Sequence, residues 1–173
     1  TEAERLGYSH AMLAGRELEG SAESVGAHLA EMAWRMRSDP GPDCLITGGE
    51  PTVQLAAPDR RGRGGRNQQL ALAALRSLLP RQPSPAAALR GIAWLAGGTD
   101  GEDGPTDAAG AVVDQSLGDA MLAARLDRQH VEDHLRRNDA YPFFESLGGL
   151  IITGPTHTNV CDLRVLTVEK DAS

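Results

Sequence analysis

The stretch Gly62-Arg63-Gly64-Gly65-Arg66-Asn67-Gln68-Gln69 constrains this chain most, because it runs a glycine-rich loop straight into the alanine- and leucine-rich run from Leu70 to Leu79. Glycines let the backbone curl and approach a ligand closely, and the first turn of a helix offers unpaired N–H groups at the positive end of its dipole. Arg63 and Arg66 add forked donors that match phosphate or carboxylate oxygens. The plain alternative is a surface loop whose helix is capped at Asn67. Three more segments share the character: Thr47-Gly48-Gly49-Glu50, the run from Gly97 to Gly104, and the run from Thr153 to Asn159. The last two follow apolar runs that read as buried strands. Four such loops predict an α/β fold, a mixed sheet flanked by helices, with the glycine-rich motifs at one edge where open sheets bind ligands.

Composition limits the partners. The formal net charge of -7 leaves no basic face for nucleic acid or an anionic membrane, so any anion site has to be local. The only lysine is Lys170, remote in sequence from every glycine-rich loop, so such a site depends on arginine and backbone. Cys44 and Cys161 form no C-x-x-C pair, which argues against zinc and redox motifs and predicts two reduced, buried thiols. No apolar stretch reaches membrane-spanning length and no secretory pattern opens the chain, so a cytoplasmic location is expected. The start at Thr1 fits an excised domain or a trimmed chain.

In chain order, residues 2–7 read as the end of a helix stopping at Gly7, and Tyr8 to Leu13 as a short strand. From Ser21 to Arg37 apolar residues recur at three- and four-residue spacing, the stripe of an amphipathic helix. Asp39-Pro40-Gly41-Pro42 ends it. Cys44 to Thr47 and Thr52 to Ala57 read as two strands of a hairpin turning at Gly48-Gly49, with Glu50 either solvated or aimed at the site. Pro80 stops the helix after the glycine loop, and Pro83 to Ala88 reads as a connector without chemistry. Ile92 to Ala96 is a continuous apolar run, the signature of a central strand covered on both faces. Ala109 to Val113 forms a short strand, and Ser116 caps a helix running to about Leu126. A helix from Val131 to Arg137 ends at Asn138, and Asp139 caps another that Gly148 closes. Leu150 to Thr153 and Leu163 to Val168 are the last strands. His28 reads as a surface or packing residue, and His130 and His134 lack the glutamate of a zinc-binding H-E-x-x-H helix.

Asp100, Glu102, Asp103 and Asp107 crowd into eight residues. Carboxylates this dense suit a hard cation, and their spacing departs from an EF-hand loop, so magnesium held by one or two carboxylates together with substrate phosphates fits better. A solvated acidic turn remains the alternative.

The segments Gly48-Gly49-Glu50, Gly64-Gly65-Arg66-Asn67-Gln68, Gly97-Gly98-Thr99-Asp100-Gly101 with Asp103-Gly104 and Asp107-Ala108-Ala109-Gly110, Asn138-Asp139, and Thr153-Gly154-Pro155-Thr156 with Thr158-Asn159-Val160 closely resemble the C-terminal, MOFRL, domain of the type-2 glycerate kinases. The resemblance covers about residues 43–168. It divides the chain into residues 1–38, the remnant of the family's N-terminal domain, and residues 39–173, the MOFRL-like domain. It implies phosphorylation of D-glycerate with ATP and Mg2+, in a site that the N-terminal domain of the same protein completes, so that the chain alone is expected to be inactive. Partners are then glycerate, the nucleotide and that domain, with a homodimer left open.

The resemblance also assigns roles. Arg66, Asp100 and Asp103 are the catalytic candidates, with Asp100 and Asp103 also candidates for magnesium. Glu50, Arg63, Gly64, Gly65, Asn67, Thr99, Thr156, Thr158 and Asn159 are the substrate- and phosphate-binding candidates. Gln69, Pro51 and Cys161 depart from the family pattern. Two alternatives stay open: an NAD(P)H-dependent hydroxypyruvate reductase, the family's older naming, and a non-catalytic binding or structural module. The first is weakened because Gly62-Arg63-Gly64-Gly65-Arg66-Asn67 is not G-x-G-x-x-G.

Overall fold

The structure, a computed structural model, describes residues 1–13, 19–79 and 83–170. Its strands are β1 (His10–Leu13), β2 (Cys44–Gly49), β3 (Ile92–Gly98), β4 (Gly110–Val113), β5 (Leu150–Ile151) and β6 (Asp162–Val168). They form one six-stranded sheet in the order β1-β2-β6-β3-β4-β5. β1 and β2 run parallel and the other neighbours antiparallel, so the sheet is mixed. The helices are α1 (Glu2–Arg5), α2 (Ala22–Ser38), α3 (Arg66–Leu78), α4 (Pro85–Leu89), α5 (Gln115–Ala123), α6 (Arg128–Arg136) and α7 (Ala140–Leu147). No helix among the described residues is long and apolar enough to cross a membrane.

The last strand lies in the middle, between β2 and β3, and it sets the core. Leu45, Leu166, Trp94 and Val113 are paired in register across four strands, and all are buried in one cluster with α3. The helix α3 is the centre of the layer, with every residue from Asn67 to Leu75 buried. It packs along α2 so closely that a Cβ on Gly26 would lie 2.4 Å from the Leu70 carbonyl oxygen. The caps are local: Ser21 accepts from the Ser24 N–H at the start of α2, and Gly148 closes α7 with a φ of 72°. Lys170 donates to the carbonyls of Met36, Asp39 and Pro42, so the lone lysine clamps the end of α2.

Several local expectations are corrected. No hairpin follows β2: its free edge is taken by β6, while Thr52 exchanges backbone hydrogen bonds with Gly20 and Ala22. The next residues are tied to Asn138, which accepts from the Ala56 N–H and donates to the Gln54 carbonyl. Pro85 starts α4, capped by Ser84, where a connector was expected. Asp114, not Ser116, caps α5 by accepting from the Leu117 N–H. In β3, burial alternates and Ala93 is exposed, so only one face of that strand is fully covered. The reading of Pro80 as a helix stop lies outside the described residues.

Candidate functional site

The N-cap of α3 is Gly65, not Asn67, and it forms no side-chain cap of its own. A carboxylate from the acidic loop fills that role. Asp103 Oδ1 accepts from the Asn67 N–H at 3.0 Å and Oδ2 from the Gln68 N–H at 2.9 Å, while the Asn67 side-chain amide adds a longer contact. The helix N-terminus therefore holds an anion that belongs to the chain. Gly65 is needed for this approach, since a Cβ there would lie 2.2 Å from the Asp103 carboxyl carbon. Burial pushes the Asp103 carboxyl up to about 6, and the charge of Asp162 adds to the rise against the pull of the three donors.

The other side of the glycine loop is held by the turn between α6 and α7. Gly62 donates to the Arg137 carbonyl, the Arg63 N–H to Asp139 Oδ1, and the Tyr141 N–H to the Arg63 carbonyl. The Asp139 side chain is spent here, which is why it makes no cap bond within α7. His134 Nδ1 donates to the Asp139 carbonyl and its ring lies edge-on to Phe143, while His130 joins the cap of α6. Both histidines are thus structural.

Arg63 and Arg66 part ways from this clasped loop. Arg63 stacks 3.9 Å above the Tyr141 ring and reaches Asp107, whose carboxyl the Tyr141 hydroxyl holds below the usual range. Arg66 turns into a cleft of about 1070 Å³ between β2, α3 and the acidic loop. There Asp162, at the head of β6 and with a side chain 1% exposed, takes Nε at 2.8 Å and Nη2 at 3.0 Å. Glu50, at the end of β2, takes Nη1 at 2.8 Å. The Asp162 hydrogen bonds, helped by the charges of Asp162 and Glu50, raise the pKa of the Arg66 guanidinium above its already high ordinary value, so it stays charged.

Of the residues singled out from the sequence, Glu50, Gly64, Gly65, Arg66, Asp100 and Asp103 line the cleft. Asn67 is buried beneath it on Asp103. Thr99, Thr156, Thr158 and Asn159 instead stitch two loops together behind its wall. Thr99 donates to the Cys161 carbonyl and accepts from the Val160 N–H, Thr156 donates to the Thr99 carbonyl and accepts from the Thr158 N–H, and Asn159 donates to Asp100. Among the described residues no group of three or more His, Cys, Asp or Glu side chains is placed to hold a metal ion.

Asp162 was missed from the sequence. It stands one residue before the apolar alternation of β6, where a lone acid reads as a strand-end residue. Only the sheet order, which puts β6 beside β2, brings it under Arg66. Cys161 was read as buried and is exposed on the cleft wall.

The chain is similar along most of its length to proteins of one kind. A human glycerate kinase is 45% identical over 80% of this chain and 24% of its own length. A glycerate 2-kinase of Pyrococcus horikoshii is 37% identical over 96% of the chain and 36% of its own. The crystal structure of a glycerate kinase from Thermotoga maritima superposes with a TM-score of 0.81 at 34% identity, covering 96% of this chain and 38% of that one. The chain thus spans 24% to 38% of the length of these relatives. With the MOFRL family model matching residues 43–162, the chain belongs to the MOFRL family.

Proposed function

We propose that this chain is the C-terminal part of a glycerate 2-kinase, which moves the γ-phosphoryl group of ATP to a hydroxyl of D-glycerate. The hydroxyl oxygen forms a bond to the γ-phosphorus as the bond to the ADP oxygen breaks, and the hydroxyl proton leaves to a carboxylate or to water. In such a reaction the protein mostly positions groups and balances charge. The observation that carries the reading is Arg66, fixed by Asp162 on the wall of an otherwise acidic cleft, with N–H groups left over for an anionic oxygen.

A magnesium ion brought in with the nucleotide phosphates would need only one carboxylate from the cleft. Asp100 is the residue for it, because it is half-buried on the cleft wall and its oxygens take only the longer contacts of the Glu102 N–H and the Asn159 amide, at 3.2 and 3.3 Å, whereas Asp103 is buried with both oxygens on the N–H groups of α3. Bound there, the ion would neutralise charge on the phosphates. Asp103 then shapes the loop that presents Asp100. Positive charge from Arg66 alone does not balance Glu50, Asp100, Glu102, Asp103 and Asp162, so a preceding domain of the same protein supplies the rest. The test is ADP release with D-glycerate beside NADH oxidation with hydroxypyruvate, in the full-length protein. Turnover of NADH without release of ADP would overturn the kinase reading.

A further inference from the structure

We infer that Glu50 holds the place of a ligand oxygen on Arg66 and that a carboxylate or phosphoryl group entering the cleft exchanges with it, an inference that rests on the cleft being the substrate site.

The two acids on Arg66 are not equivalent. Asp162 is buried, with a side chain 1% exposed, and grips the side-on edge of the guanidinium with both oxygens. Glu50 is 62% exposed and reaches Nη1 with one oxygen. A guanidinium carries five N–H groups. These contacts use three, which leaves one hydrogen on Nη1 and one on Nη2.

Removing Asp162 from its partner would strand a buried charge, while an exposed ion pair such as that of Glu50 is worth little and is readily given up. Once Glu50 leaves, Nη1 and Nη2 offer a fork of the geometry that carboxylate and phosphate oxygens take in pairs. The departure also removes one negative charge from a cleft that holds Asp100, Glu102 and Asp103. The other anion position at this junction is closed, because Asp103 has taken the N–H groups of Asn67 and Gln68. Arg66 is the anion position that remains.

Glu50→Gln keeps the length and one acceptor but removes the charge, and at a side chain 62% exposed the variant should fold as wild type does. D-glycerate and inorganic phosphate, titrated in separate arms into full-length wild type and variant, should each be bound more tightly by the variant, by about fivefold in the preferred arm. The larger gain tells which group the fork takes. Arginine side-chain resonances give a second readout: the Arg66 Nη signals should move on titration while Nε–H stays with Asp162. Unchanged or weaker binding by Glu50→Gln, or Nη signals that ignore both ligands, would overturn the exchange. The paired variant Arg66→Gln with Asp162→Asn separates the two levels. If it phosphorylates D-glycerate as well as wild type, the cleft reading fails and the exchange with it. If it is inactive while Glu50→Gln binds no tighter, the exchange alone is wrong.

Discussion

Asp103 caps α3 from a separate loop, its Oδ1 3.0 Å from the Asn67 N–H, so the strongest anion position in the glycine-rich junction is filled by the chain itself. The consequence is a pH dependence of stability. Burial raises the Asp103 carboxyl to about 6 from its ordinary 3.8, so the folded state holds that proton more tightly than the unfolded chain does. This contribution is fully present below the unfolded value and is lost as pH rises through 6. Asp103→Asn cannot titrate. Its stability relative to wild type should therefore improve between pH 4 and pH 7, by on the order of 2 kcal/mol. Paired denaturant titrations across that range check it, and a difference that stays constant would show that the N–H donors cancel the cost of burial.

Arg66 and Asp162 should be coupled in stability as well as in function. Arg66→Ala leaves the Asp162 carboxylate, 2% exposed, without its cation. Breaking a fully buried pair from one side costs about 3–5 kcal/mol, and the 36% exposure of the Arg66 side chain reduces that to roughly 2–3 kcal/mol. Adding Asp162→Asn should recover most of the loss. A double-mutant cycle by thermal or denaturant unfolding measures the coupling. Additive costs would mean that the two side chains do not depend on each other.

How much of this was legible follows from the range of each interaction. The stripe of α2, the apolar run of β3 and the glycine loop entering α3 are local patterns, and each marked a real element. The false hairpin after β2 came from the same local evidence, because Val53 and Leu55 alternate as a strand would. What decided against it was the insertion of β6 beside β2, a pairing between chain segments that no local pattern encodes. The same pairing hides the site. Arg66 was conspicuous in its glycine context, but the burial of Asp162 beneath it exists only once the sheet is assembled. The divergence of Arg63 toward Tyr141 is equally a tertiary fact.

The contact between α2 and α3 sets two effects of a single substitution against each other. Gly26→Ala improves helix propensity by about 1 kcal/mol. The added methyl, however, would lie 2.4 Å from the Leu70 carbonyl oxygen and 3.1 Å from the Ala73 Cβ, all of it helix rather than flexible side chain. Overpacking of that kind costs about 1–3 kcal/mol, more where backbone has to move. The clash should win, and the variant should be destabilised by roughly 1–2 kcal/mol in denaturant unfolding. A stabilised variant would show that the helices can separate freely.

The two thiols provide a probe of the cleft that needs no assay of activity. Cys161 is exposed on the cleft wall, and the carbonyl of the same residue is tied to Thr99. Cys44 is buried at the start of β2, and burial, helped by the nearby charge of Asp43, pushes its thiol up. Only a thiolate reacts quickly with an alkylating reagent, so Cys44 is protected both by access and by protonation. One thiol should label fast in the folded protein and the other only on unfolding. A bulky label on Cys161 should then weaken phosphate or glycerate binding, and bound ligand should slow the labelling, because the residue shares its wall with Arg66 and Asp100. Mass spectrometry of the alkylated protein over time reads both rates. Equal labelling of Cys44 and Cys161 would contradict the burial of β2, and labelling of Cys161 that ignores a saturating ligand would place the ligand outside this cleft.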